Sequence, residues 1–299
     1  MAVSWPAEEI RVNENLVRSL LIQQHPDLAE LPIGAFGAGW DNTLWRLGES
    51  LIVRLPRRAV AAPSVVNEQR WLPELAPRLS LPIPAPIRAG LPNEDFPWCW
   101  SVVPWLDGLP GDDTIVTRPD DAAEALGCFL RELHRPAPVD APENPFRGVP
   151  VTVRADTFDE RMTALADEID VGAIRRVWDG AVSARPWHGP PVWLHGDLHP
   201  ANMLISDGTL AAVIDFGDLC AGDPATDLAA AWMLLPPSTM PLFDAVCGGL
   251  GPDLVHRSLG WAVLFASMLL AIGLDDRPSY ETVGRSTIAN AISYFDRLP

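Results

Sequence analysis

The chain reads as an α+β fold in two unequal parts: an antiparallel sheet with a helix first, then a larger and mostly helical part. Three observations predict this. Strand-forming runs at 33–36, 40–47 and 50–55 are separated only by a short small-residue stretch and by Gly48-Glu49, so neighbouring strands must turn back on one another. From Ala225 onward apolar residues recur at helical spacing. The length of 299 residues is enough for two hydrophobic cores.

Taken in order, residues 13–24 place Leu16, Val17, Leu20 and Leu21 on one helical face, with Pro26 just past it. Gly37-Ala38-Gly39 reads as a loop between the first two strands. Glycines let the main chain approach a ligand closely, and successive N–H groups can cradle phosphates. No G-K-[ST] follows and no G-x-G-x-x-G opens a helix, so P-loop and Rossmann sites are excluded. The third strand carries Arg54, with Arg57 and Arg58 behind it read as solvent-facing. Residues 65–72 form a helix containing Glu68, and Pro73 predicts a kink or break in any continuation to Leu79. Residues 81–86 are a stiff, proline-rich connection. Residues 98–103 are a buried strand ended by Pro104-Trp105-Leu106.

A polar loop at 111–119 precedes a helix bearing Ala122, Leu126, Phe129, Leu130 and Leu133, which ends in His134. Residues 136–150 are a proline-rich loop that, with 151–158, flanks the predicted cleft. Residues 157–177 read as one long or two short helices, broken at Gly172. A linker then leads to Val192-Trp193-Leu194.

The stretch 195–223 carries the chemistry. Apolar runs at 203–205 and 210–214 flank Asp207-Gly208, a strong hairpin turn. A hairpin returns the chain to its start, so Asn202 and Asp215 should lie side by side, with Asp197 just before them. One amide and one carboxylate suit a hard cation such as Mg²⁺, completed by waters and phosphate oxygens. Asp197 is left to orient a nucleophile. A rival reading takes the alternating His195, Asp197 and His199 as transition-metal ligands of a metal-dependent hydrolase. Of the six His in the chain none falls near Asp215 to complete such a set. His195 is therefore read as structural, and His199 as loop support or a water-mediated neighbour of the cation. Asp223 reads as an N-cap with Pro224 opening the next helix. Residues 254–272 should be core and 282–295 a terminal amphipathic helix. The uncharged run 258–274 is read as a buried helix rather than a membrane span.

H-G-D-L-H-P-A-N at 195–202, the hairpin, and I-D-F-G at 214–217 together resemble the catalytic and metal-binding segments of the aminoglycoside phosphotransferase family. That resemblance implies a bilobal, protein-kinase-like fold: a nucleotide-binding lobe over 1–105, a hinge at 103–106, and a catalytic and acceptor-binding lobe over 106–299. It implies Asp197 as the base that orients the acceptor hydroxyl, and Asn202 and Asp215 as Mg²⁺ ligands. Gly37 and Gly39 would cover the phosphates. Val103 and Trp105 would offer main-chain contacts to the base of ATP or GTP, since Pro104 lacks an N–H. The family normally places a lysine on the third strand. Arg54 stands there instead, able to grip phosphate through two N–H groups but with a different reach, and Glu68 is its implied partner. Gly222-Asp223-Pro224-Ala225-Thr226-Asp227-Leu228 resembles the family's G-D-P-x-x-D-L, which implies Asp227 as a brace of the catalytic loop. Asp218 and Asp223 would face an acceptor's ammonium groups.

Charge narrows the partners. The 39 acidic residues against 22 basic give −17, which repels nucleic acid and anionic membranes and attracts cations. The reading is thus phosphoryl transfer to a small hydroxylated amine, aminoglycoside-like first, with a macrolide or other small alcohol next. A nucleotide-binding module without catalysis is the non-enzymatic alternative. Between Leu228 and Pro252 only Asp244 is acidic, which weighs against a strongly polycationic acceptor. Cys99, Cys128, Cys220 and Cys247 show no zinc or redox spacing, and residues 1–11 lack the apolar core of a signal peptide, so a cytoplasmic location is expected.

Overall fold

The computed structural model describes residues 7–298. The expectation that the amino terminus is no signal peptide rests partly on residues 1–6, outside the described residues.

Helix α1 (Glu14–Gln24) begins where the Asn13 side chain accepts from the Leu16 N–H, which satisfies one of the orphan donors of a helix start. Its apolar face buries Val17, Leu20 and Leu21. Strands β1 (Ile33–Ala38), β2 (Asn42–Leu47) and β3 (Leu51–Pro56) form a meander. Helix α2 (Ala62–Leu75) follows, then β4 (Arg88–Gly90) and β5 (Trp100–Pro104). The sheet order is β1-β2-β3-β5-β4, antiparallel throughout.

One local expectation changes and another is met. Gly37 and Ala38 do not lie in a loop; they extend β1, opposite Leu44 and Thr43, after the register shifts around Phe36. Glycine is a poor strand former, but pairing with β2 overrides that preference. Helix α2 passes Pro73 and runs to Leu75 before tightening into a 3₁₀ turn at Ala76–Arg78. The proline removes one N–H, and the helix ends within a turn of it.

The larger part opens with β6 (Leu109–Pro110) and α3 (Pro119–Leu133). Helices α4 (Ala155–Ala164) and α5 (Val171–Ser183) are separate. Their break falls at 165–170, not at Gly172, because Asp170 caps α5 by accepting from the Ala173 N–H. Strand β7 (Val192–Leu194) leads into the catalytic stretch, then β8 (Met203–Ser206) and β9 (Thr209–Val213) form the expected hairpin, and β10 (Cys220–Gly222) pairs back with β7. Strand β6 covers the free edge of β8. Helices α6 (Ala225–Leu234), α7 (Met240–Val246), α8 (Pro252–Asp275) and α9 (Pro278–Phe295) complete the chain. Helix α8 is long and apolar enough to cross a membrane, yet 72% of its apolar window is buried inside the protein, where α5, α6 and α9 surround it.

Two cores result. The smaller joins α1 to the sheet through Val17, Leu20, Leu47, Val53, Leu55, Phe96, Trp100 and Val102. The larger is centred on α3, α6 and α8, and it also takes Trp71, Leu72 and Leu75 from α2. Trp71 meets Trp193 of β7 with ring centroids 5.0 Å apart. Full burial of a large apolar side chain contributes about 1.5–3 kcal/mol, so α2 ties the sheet firmly to the segment that leads into the loop of Asp197.

Candidate active site

Strand β7 ends at Leu194, and the next residues are held by one buried carboxylate. The main-chain amides of His195 and Gly196 donate to Asp227 at 2.8 and 2.9 Å, and His134 Nε2 lies 3.3 Å from the same group. Asp227 itself is fully buried. His195 is equally buried and is spent on the main chain: Nε2 lies 2.8 Å from the Ile214 carbonyl, and Nδ1 accepts from the Asp197 N–H at 3.2 Å. Neither ring nitrogen is left for a metal, which removes the transition-metal reading. Gly196 has φ +86°, and a Cβ there would run into the Asp218 carbonyl. The motif therefore needs glycine at this point.

Asp197 faces the site with a quarter of its side chain exposed. Its Oδ1 accepts from Arg147 Nη2 at 2.8 Å, and Oδ2 lies 3.4 Å from His199 Nε2. Burial alone would raise this carboxyl, but His199, Arg147 and His195 more than offset it, holding the group well below the usual carboxylate range. It stays ionised and able to accept a proton from a bound hydroxyl.

The hairpin brings Asn202 and Asp215 together, with the Ile214 N–H donating to the Asn202 carbonyl at 2.9 Å. Asn202 Nδ2 donates to the Asp197 carbonyl at 2.8 Å, which orients the amide and leaves Oδ1 as its ligand atom. Asp215 takes a left-handed conformation, φ +64°, with its side chain 57% exposed. An amide oxygen beside an open carboxylate is an oxygen donor set that fits Mg²⁺ and leaves room for phosphate oxygens.

On the sheet side Arg54 is buried, with Nη2 3.2 Å from Glu68 and 3.5 Å from Asp215. Burial pushes the Glu68 carboxyl up to about 7, aided by Asp215 and opposed by Arg54. Arg57 and Arg58 are not the free cations expected. Arg57 Nη1 donates to the Gly39 carbonyl at 3.1 Å, and Arg58 pairs with Asp41 at 2.7 Å. Both brace the turn that follows Gly37 and Gly39. Phe36, beside that turn, meets the edge of Trp105 at 5.1 Å, and the Arg46 guanidinium lies 3.7 Å over the same ring.

At the hinge, Val103 is buried opposite Ile52. The Trp105 N–H donates to the Ser50 carbonyl at 2.7 Å, because the β3–β5 ladder runs one residue past the strand. That amide is taken by the chain and is not a free donor for a nucleotide base. Asp223 is likewise corrected. It is buried, receives Arg257 Nε at 2.7 Å and the Ala225 N–H at 3.0 Å, and so closes a helix start instead of facing an acceptor. Asp218 does reach the site, shared between Asn144 at 2.8 Å and Arg147 Nε at 3.5 Å.

Arg147 and Asn144 were missed by sequence reasoning. They come from the proline-rich loop, which main-chain bonds pin down: Ala221 N–H to the Pro142 carbonyl, Asp223 N–H to the Gly148 carbonyl, and Gly148 N–H to Thr226 Oγ1. A signal was present only in the loop's position beside the predicted cleft.

Fold and site together define the class: a phosphotransferase on the protein-kinase plan that draws its phosphoryl group from a nucleotide. The chain belongs to the APH phosphotransferase enzyme family, whose profile matches residues 33–261. Among solved structures it is similar to a GDP and kanamycin complex of APH(2″)-IIIa, with TM-score 0.67, 20% identity, and coverage of 93% of this chain and 98% of the other. It is also similar to the macrolide 2′-phosphotransferase MphH from Brachybacterium faecium, with TM-score 0.60, 20% identity and coverage of 91% and 98%. ADP-bound APH(2″)-Ib aligns with TM-score 0.59, 18% identity and coverage of 95% and 99%. A comparison with curated proteins finds no match.

Proposed function

We propose that this protein transfers the γ-phosphoryl group of ATP or GTP, with Mg²⁺, directly to a hydroxyl of a small acceptor. The observation that carries this reading is the Asp197 carboxylate: ionised, partly exposed, and fixed through its own main chain beside Asn202 and Asp215. The acceptor hydroxyl gives its proton to Asp197. Its oxygen forms the new bond to the γ-phosphorus as the bond to the β–γ bridging oxygen breaks, and the nucleoside diphosphate leaves with that electron pair. Asn202 and Asp215 would hold Mg²⁺, which when bound neutralises charge on the phosphate oxygens. Arg54 does the same from the sheet side, as the lysine of related enzymes would, and Glu68 fixes its position. The end of β1 with Gly37 and the turn at Gly39, tied to Trp105 through Phe36, form the segment that would close over the phosphates.

The kanamycin complex and the macrolide enzyme among the similar structures keep an amine-bearing acceptor in view. Asp218 is the carboxylate next to the base that would receive it, but Asn144 and Arg147 already claim that group. The four free thiols suit a reducing, cytoplasmic setting.

The test is product mass. Incubated with nucleotide and a panel of aminoglycosides, macrolides, amino-alcohols, sugars and hydroxy acids, the enzyme should add one phosphoryl group to a member of the panel. Asp197→Asn should lower that turnover by about 10²–10⁴-fold while nucleotide still binds. Undiminished transfer by Asp197→Asn would overturn the assignment.

A further inference from the structure

The wall facing the catalytic loop carries a charge pattern that phosphoryl transfer alone does not use. The Arg147 guanidinium lies 4.8 Å over the Phe265 ring of α8. Arg161, on α4, donates to the carbonyl of the preceding residue, Leu264, at 2.9 Å. Arg154, at the start of α4, lies 5.1 Å over Phe146, the residue before Arg147. Three guanidinium groups are thereby gathered on one wall that begins at the catalytic carboxylate.

This gathering is unfavourable by itself. Burial, then Arg154 and Arg147, bring Arg161 down to about 10, and burial with Arg147 lowers Arg154. Arg147 has Asp197 and Asp218 beside it. Among the described residues, neither Arg154 nor Arg161 has a carboxylate within ion-pair distance; their contacts are a ring and a carbonyl. The Nε of Arg154 is buried without a hydrogen-bond partner, whereas that of Arg147 faces Asp218 at 3.5 Å. An arriving oxyanion would relieve the mutual repulsion of the three guanidinium groups. Guanidinium is suited to this, since its planar fork matches carboxylate and phosphate oxygens.

We infer that the acceptor is an anion: a hydroxylated small molecule whose carboxylate or phosphate docks on Arg147, Arg154 and Arg161 and so presents its hydroxyl to Asp197. This rests on the phosphotransfer reading above and replaces only its acceptor class. The chain's charge of −17 does not oppose it, because exposed charges beyond about 8 Å are screened at physiological salt, and the near carboxylates Asp197 and Asp218 are paired with Arg147, which leaves Arg154 and Arg161 uncompensated.

A matched sugar series tests it: glucose, glucosamine, glucuronate and glucose 1-phosphate, with kanamycin alongside, each scored by nucleotide turnover and product mass. The expected result is an acidic member preferred at least tenfold in kcat/KM over its neutral and amine counterparts. The glucuronate and glucose 1-phosphate arms separate carboxylate from phosphate. Arg154→Ala, on a partly exposed side chain, should reduce that preference at least tenfold. A second readout needs no turnover. With the nucleotide site saturated by ADP and Mg²⁺, sulfate should raise the thermal midpoint of the wild type more than that of Arg154→Ala. Preference for glucosamine or kanamycin overturns the anionic acceptor and leaves phosphotransfer standing, as does an equal sulfate response in both proteins. Failure of the phosphotransfer reading would look different, as acceptor phosphorylation that persists in Asp197→Asn.

Discussion

Two arginines bracket the site, and they are held in opposite ways. Arg54 lies in a central strand and is buried beside Glu68, a carboxylate that makes no other ion pair among the described residues. Arg147 comes from a loop and leans on Asp197, the carboxylate that would do the chemistry. The difference teaches that the nucleotide side is built into the fold, while the acceptor side is built from contacts that a ligand must share or displace. One side should therefore fail as a stability defect and the other as a change in pH profile or acceptor choice.

The sharpest break is Glu68→Ala. It leaves Arg54 buried with only Asp215, at 3.5 Å, for a partner. Removing one member of a buried pair costs about 3–5 kcal/mol. Asp215 lowers that figure, so we expect roughly 3 kcal/mol in denaturant unfolding, together with weakened nucleotide binding. An unfolding midpoint equal to wild type would show that the two arginines are held alike after all.

The same carboxyl gives a pH signature of the opposite sign to an ordinary ion pair. With its folded value raised to about 7 from the ordinary 4.5, Glu68 binds more protons in the folded chain than in the unfolded chain between those limits. Its contribution to stability is therefore fully present at low pH and is lost as pH rises through about 7. Above that point the ionised carboxylate instead fixes Arg54, so nucleotide affinity should rise. Glu68→Gln should flatten both trends, by up to about 1.4 kcal/mol per pH unit. Parallel pH curves for wild type and variant would remove Glu68 as the source.

The smallest effect is expected on the loop side. Arg147→Ala removes the guanidinium that helps hold Asp197 low, while the His199 contact remains. The acid limb of kcat should move up toward the ordinary carboxylate range, by roughly one pH unit, with little change in unfolding free energy. A large loss of stability would make Arg147 a structural residue like Arg54.

The same contrast explains what was legible in the sequence. Asp197, Asn202 and Asp215 lie within one short hairpin unit, so local turn chemistry at Asp207-Gly208 was enough to bring them together. The pairing of Arg54 with Glu68 came from the family resemblance and not from local turn chemistry, and the structure places the two 3.2 Å apart. Residues paired over longer separations were not legible. Arg147 reaches Asp197 only because main-chain bonds from Ala221, Asp223 and Gly148 anchor its loop. Asp223 was misread because Arg257, far along the chain on α8, takes both of its oxygens. Gly37 was misread for a different reason: a weak local preference gave way to the β2 strand beside it.

Arg54 has one more consequence, in the reactivity of the protein. All 22 basic residues of the chain are arginine, and no lysine occurs anywhere. The cation proposed to face the phosphates is therefore no amine, and a guanidinium keeps its charge at any pH the fold survives. Reagents that acylate an ε-amino group in a nucleotide site would find no such target here, whereas dicarbonyl reagents selective for guanidinium would find theirs at Arg54 on one side and Arg147 on the other.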